Sequence, residues 1–148
     1  VFPGAVFVTT NRDPVATMSS GASLVAGYHR IYSDAERQKL VALAILEGFS
    51  MATQLHLTLR DQHPELPILD IGYREVVEDV PNVIRRIYAH AGMELSNSAW
   101  QKMRQWEQAD DAQHQQGAHR HSLADCGLSA DIVREKFAPY IERFRHLL

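Results

Sequence analysis

Arg12 and Ser20, with Asp13-Pro14 between them, are the residues of this 148-residue chain whose types and spacing best suit a chemical task, the capture of a phosphate group. A guanidinium is a planar fork that grips phosphate oxygens in pairs. A hydroxyl eight positions on lies about two helical turns away on nearly the same face, and Ser19 offers a second hydroxyl beside it. The elements around them agree. Ala5, Val6, Phe7 and Val8 read as a buried β run that ends in polar Thr9, Thr10 and Asn11. Pro14 falls where a first helical turn tolerates a missing N–H. A strand running into a helix offers ordered backbone N–H groups and the positive end of the helix dipole, both of which favour an anion. The plainer alternative is a surface cation followed by an N-cap and first turn.

The remaining elements follow from apolar periodicity and caps. Val15 to Ala26 continues the first helix, and Gly27 with Tyr28 to Tyr32 reads as a break. Ser33 and Glu36 form a capping box for a helix that reaches about His63, before Pro64 and Pro67. Its apolar residues, Leu40 through Leu59, occupy most faces, so that helix is expected to be buried. Ile68 to Tyr73 is a second strand. Asp79 caps a helix that ends at Gly92, and Ser96 caps the next, with Trp100, Met103 and Trp106 as its apolar, core-type positions. Gln108 to Gly117 is polar without periodicity and reads as a loop. Ser129 caps one final helix through Val133, Phe137, Tyr140 and Phe144.

The strand, the R-D-P turn and the serine resemble the 3′-phosphate-binding motif of bacterial-type sulfotransferases that use 3′-phosphoadenosine 5′-phosphosulfate, although Asn11 stands where a histidine is usual. The segment Tyr73-Arg74-Glu75-Val76-Val77-Glu78-Asp79 is similar to the family's Y-R/E-D/E-L-x-x-D-P, with its proline one residue late at Pro81. Gly117 to Leu128 is similar to G-x-H-x-Y-S-L-x-D-F-G-L, with His121 and Cys126 as departures, and Phe137 to Tyr140 resembles a closing F-x-x-Y helix. The resemblance implies an α/β fold of the P-loop NTPase-like sulfotransferase type, represented by its C-terminal part: a few parallel strands with a predominantly helical remainder. It implies that Arg12 and Ser20 hold the cofactor's 3′-phosphate, that Tyr73 lies near the adenine, and that Gly117, His119 and Arg120 close over the phosphate. On the residues alone, a strand-end tyrosine with its hydroxyl in water is an equal reading of Tyr73.

The late loop has a physical logic of its own. A nucleotide with several negative charges requires cations and close backbone approach, which glycine permits. As metal ligands, His114, His119 and His121 would have the spacing H-x4-H-x-H, which matches no metal motif, so no metal is expected. A plain solvated loop is the other reading.

One domain over residues 1–148 fits the length and the 45% hydrophobic content. The start at Val1, close to the first strand, and the lack of a glycine-rich loop ending in Lys-Ser or Lys-Thr suggest the C-terminal portion of a larger sulfotransferase domain. A formal charge of −3 and a pI near 6.2 argue against nucleic acid as a partner. Lone Cys126 excludes an intrachain disulfide and, with no signal peptide in view, points to the cytoplasm. Leu40 to Leu59 is interrupted by Glu47, Ser50, Thr53, Gln54 and His56, so no membrane span is expected.

In sulfuryl transfer an acceptor hydroxyl or amine attacks sulfur while adenosine 3′,5′-diphosphate leaves, and the resemblance implies a small molecule or a glycan as that acceptor. Arg12 and Ser20 would anchor the nucleotide, and the catalytic base is unassigned. Alternatives are a nucleotide kinase-like phosphoryl-transfer protein and a truncated, non-catalytic helical interaction module. If the chain stands alone, Val6, Phe7, Leu40 and Phe49 are expected to drive self-association.

Overall fold

The computed structural model describes residues 4–32, 38–113, 123–124 and 127–148. Among the described residues are two strands, β1 (Phe7–Asn11) and β2 (Ile68–Gly72), and seven helices. These are α1 (Pro14–Tyr32), α2 (Gln38–Gln62), α3 (Tyr73–Glu78), α4 (Val80–His90), α5 (Asn97–Gln113), α6 (Ala130–Lys136) and α7 (Ala138–Phe144), followed by a 3-10 turn, Arg145–Leu147. The strands pair in parallel from Phe7↔Ile68 to Asn11↔Gly72. Parallel strands need a crossover connection, and α1 and α2 lie between them in the chain. The result is a mostly helical α/β arrangement.

The core lies where α1, α2 and α6 meet. Met18 and Ala22 pack with Ala42, Leu46, Leu128, Val133 and Phe137. Ile71 of β2 is fully buried. Outside that core, apolar surface is extensive: Phe7, Leu40 and Phe49 are 46%, 62% and 49% exposed.

The local signals for caps hold. Asp79, Ser96 and Ser129 accept hydrogen bonds from the N–H groups of Asn82, Ala99 and Ile132. Several expectations change. Strand β1 runs on through Thr9, Thr10 and Asn11 because β2 supplies ladder partners along its whole length. Helix α1 passes through Gly27 without a break; one helical glycine costs only about 1 kcal/mol, which packing on α2 and α6 outweighs. Tyr73 is not the last strand residue but the first of α3, with Gly72 as its N-cap. Residues 108–113 are helical, the alanines and glutamines of that stretch being adequate helix formers. The final helix is two, because Pro139 has no N–H to continue the ladder, and α7 starts anew at Ala138. The capping box at Ser33 and Glu36 lies outside the described residues.

Helix α2 is not buried all round: Ala42, Leu46 and Ser50 face inward, whereas Leu40, Met51, Leu55 and Leu59 are exposed. By length and composition alone, Lys39–Gln62 could cross a membrane, a test that the core helices of soluble proteins also pass. Here the helix carries fold contacts. It packs on α1 and α7, and its Ser50 hydroxyl donates to the Lys136 carbonyl at 3.4 Å.

Candidate functional site

The register of the parallel pair builds the site. Asn11 and Gly72 stand level at the carboxyl ends of β1 and β2, so the residues that follow them, Arg12 and Tyr73, emerge side by side. The Arg12 guanidinium carbon lies 4.2 Å from the centre of the Tyr73 ring, a cation–π contact that holds the long side chain over a flat surface. Above this edge is a cavity of about 460 Å³. Thr10, Arg12, Thr17 and Ser20 give it a polar wall, and Met18, Phe49 and Phe137 an apolar one, with Tyr73 and Tyr140 between. The carboxyl ends of strands are where open α/β sheets take ligands, and this volume lies within the range of small-molecule sites.

The charge of the polar wall belongs to Arg12. Among the described residues no carboxylate pairs with its guanidinium, whose contact there is the Tyr73 ring. The neighbouring Asp13 turns away and accepts from the Val15 N–H at 2.9 Å. That contact changes one expectation: a carboxylate already takes a donor at the start of α1, so an anion here relies on side chains more than on the helix end. Thr17 donates its hydroxyl to the Asp13 carbonyl at 3.0 Å. It presents an acceptor, not a donor, to the cavity.

Beneath Arg12 runs a chain of hydrogen bonds across four elements. Arg60 of α2 donates to Asp70 of β2 at 2.9 Å and makes a second contact to the other carboxylate oxygen. Asn11, fully buried, donates its amide to Asp70 at 3.2 Å and accepts from the Tyr140 hydroxyl at 3.1 Å. The same hydroxyl accepts the Arg12 N–H at 3.3 Å. Burial raises the Tyr140 phenol above its usual range; the Arg12 N–H opposes this and the Asp70 charge adds to it. The hydroxyl therefore keeps its proton near neutral pH. His56 sits at the outer end of the chain, its ring nitrogen 3.3 Å from Arg60. Because an arginine can only donate, that nitrogen must accept. Burial and the Arg60 charge lower the His56 pKa, keeping the ring neutral.

The Tyr73 side is braced too. Glu75 accepts from the Gly72 N–H at 2.8 Å and pairs with Arg86, which also donates to the Asp70 carbonyl. The Gly72 bond, followed by Arg86, holds the Glu75 carboxyl below its ordinary range. A Cβ on Gly72 would stand 2.6 Å from the Leu147 carbonyl oxygen, so glycine is required for the carboxyl-terminal turn to lie against this strand end.

A model of the sulfotransferase family matches residues 1–97, more than half of the chain. This chain belongs to the sulfotransferase family. No curated relative and no solved structure matches it.

The matched stretch contains three of the residues singled out from the sequence, Arg12, Ser20 and Tyr73, and the fold of this sulfotransferase brings all three to one cavity. Ser20 lines it and Ser19 does not, which separates the two hydroxyls. Gly117, His119 and Arg120 lie outside the described residues, as do His114 and His121. No group of three metal-ligand side chains occurs among the described residues. Trp106 is 71% exposed and therefore not a core residue; Trp100 has the guanidinium carbons of Arg85 and Arg104 at 5.8 and 5.9 Å from its ring. Sequence reasoning missed Phe49, Thr17 and the cavity role of Tyr140. Only the F-x-x-Y likeness pointed near the last of these.

Proposed function

We propose that this sulfotransferase binds 3′-phosphoadenosine 5′-phosphosulfate, with Arg12 and Ser20 as the anchor of the 3′-phosphate and Tyr73 beside the adenine. The reading extends the fold to a P-loop-like α/β sulfotransferase domain, of which this chain is the nucleotide-anchoring portion. One observation carries it: a guanidinium that pairs with no carboxylate among the described residues and a hydroxyl line the same cavity at the carboxyl ends of two parallel strands. The donor set fits the group. A phosphate monoester needs a cationic fork and hydroxyl donors, and a base needs a flat apolar surface, which Tyr73 and the Met18, Phe49 and Phe137 wall provide.

When bound, the donor supplies an activated sulfuryl group for a hydroxyl or amine acceptor. The residues of this chain bind and orient. Arg12 neutralises the 3′-phosphate, Ser20 donates to it, and Gly117, His119 and Arg120 would close over it from the late loop. The acceptor is a small molecule or a glycan.

The test is a thermal shift with two nucleotides that differ only at the 3′ position. Adenosine 3′,5′-diphosphate at about 100 times its Kd should raise Tm by about 5 °C or more, and adenosine 5′-phosphate at the same concentration by much less. Equal shifts would remove the 3′-phosphate from the cavity.

A further inference from the structure

We propose that Tyr140 is a positioning residue of the anion site, its hydroxyl fixing the Arg12 backbone so that the guanidinium is presented to the cavity. The inference rests on the reading of Arg12 as the phosphate anchor.

The argument turns on the polarity of the hydrogen-bond chain. A carboxylate only accepts and a guanidinium only donates, so the Arg60–Asp70 pair fixes the direction of everything attached to it. Asn11 must show its NH2 to Asp70, which leaves its carbonyl oxygen facing Tyr140. Tyr140 must then donate to Asn11, and its lone pair is left to accept from one donor, the Arg12 N–H. No other assignment satisfies all four groups. Phenylalanine at position 140 would therefore take away the partner of the Arg12 N–H and strand the Asn11 carbonyl oxygen at a fully buried residue.

The position of this contact matters. Arg12 is the first residue past the β1 ladder, between the last strand residue and the start of α1 at Pro14. No regular secondary structure fixes it there, so a hydrogen bond from another element determines the direction in which its side chain leaves. Tyr140 is itself held by the tilted Phe144 ring, 5.0 Å away, which in turn lies under the Arg60 guanidinium at 5.2 Å. Residues 138–144, beyond the stretch matched to the family, thus contribute a constraint on an anchor encoded near the start of the chain.

Tyr140→Phe, Phe144→Leu and Arg12→Ala variants of the full chain distinguish the possibilities when titrated calorimetrically with adenosine 3′,5′-diphosphate and adenosine 5′-phosphate. Tyr140→Phe is expected to weaken the diphosphate about 3- to 10-fold, the range for one hydrogen bond, and to leave the monophosphate within about 2-fold. Phe144→Leu, which removes the ring that holds Tyr140, should lower Tm and reduce the ratio of the two affinities in the same direction as Tyr140→Phe but by less, and an increased ratio would count against the positioning role. Loss of both nucleotides to the same degree in Tyr140→Phe, or no loss, would overturn the positioning role. An unchanged ratio in Arg12→Ala would overturn the phosphate reading beneath it instead. Amide hydrogen exchange gives a check without ligand: the Arg12 N–H should be protected in the wild type and exchange faster in Tyr140→Phe, with the Val133 amide unaltered. An unprotected Arg12 amide in the wild type would also overturn the proposal.

Discussion

Replacing Arg12 with alanine should abolish the preference for adenosine 3′,5′-diphosphate over adenosine 5′-phosphate while leaving the fold intact. Arg12 is exposed, makes no ion pair among the described residues and touches its surroundings mainly through the Tyr73 ring. Its loss therefore opens no cavity in the core. The binding effect should be large, since a hydrogen bond to a charged group contributes about 1.5 to 3 kcal/mol, equivalent to about 10- to 150-fold in affinity. The monophosphate, which places no charge at that point, should bind with little change. Calorimetric titration of both nucleotides reads the result, and a preference that survives the substitution would place the anchor on another residue.

The second large effect concerns stability. Asp70 joins β2 to α2 through Arg60 and to β1 through Asn11, and the two charged side chains are only 23% and 12% exposed. Asp70→Ala leaves a mostly buried guanidinium without its counter-charge and the Asn11 amide with only the Thr9 carbonyl at 3.4 Å. Breaking a buried pair from one side costs about 3 kcal/mol or more. Urea unfolding should show that loss as a lower midpoint at constant m. The exposed Arg143–Asp61 pair supplies the control: Asp61→Ala should cost at most about 1 kcal/mol. If the two variants were equally mild, the buried chain beneath the site would not be a structural element of it.

What was legible in the sequence was local. The caps at Asp79, Ser96 and Ser129 are side chains that act on backbone donors within a few residues, so type and spacing suffice to find them. That Arg12 and Ser20 face one cavity was legible for the same reason, because they lie on one strand–helix passage. Pro139 also carries a visible signal that the last helix must restart there, masked by the apolar periodicity that runs on through Phe144. The exposure of α2 and Trp106 was not legible, since periodicity reports an apolar stripe and not what covers it. The role of Tyr140 was hidden by distance along the chain: its partners Asn11 and Arg12 are 129 and 128 positions away. Convergence of Tyr73 on Arg12 likewise depends on the register of the parallel pair, which only the folded chain defines.

A crystal structure with adenosine 3′,5′-diphosphate would test the assignment most directly. Oxygens of the 3′-phosphate should lie about 2.7 to 3.2 Å from the Arg12 guanidinium and the Ser20 hydroxyl, with the adenine on the Tyr73 side of the cavity. A nucleotide bound with its 3′-phosphate in solvent or against other side chains, and Arg12 still resting on Tyr73, would contradict it.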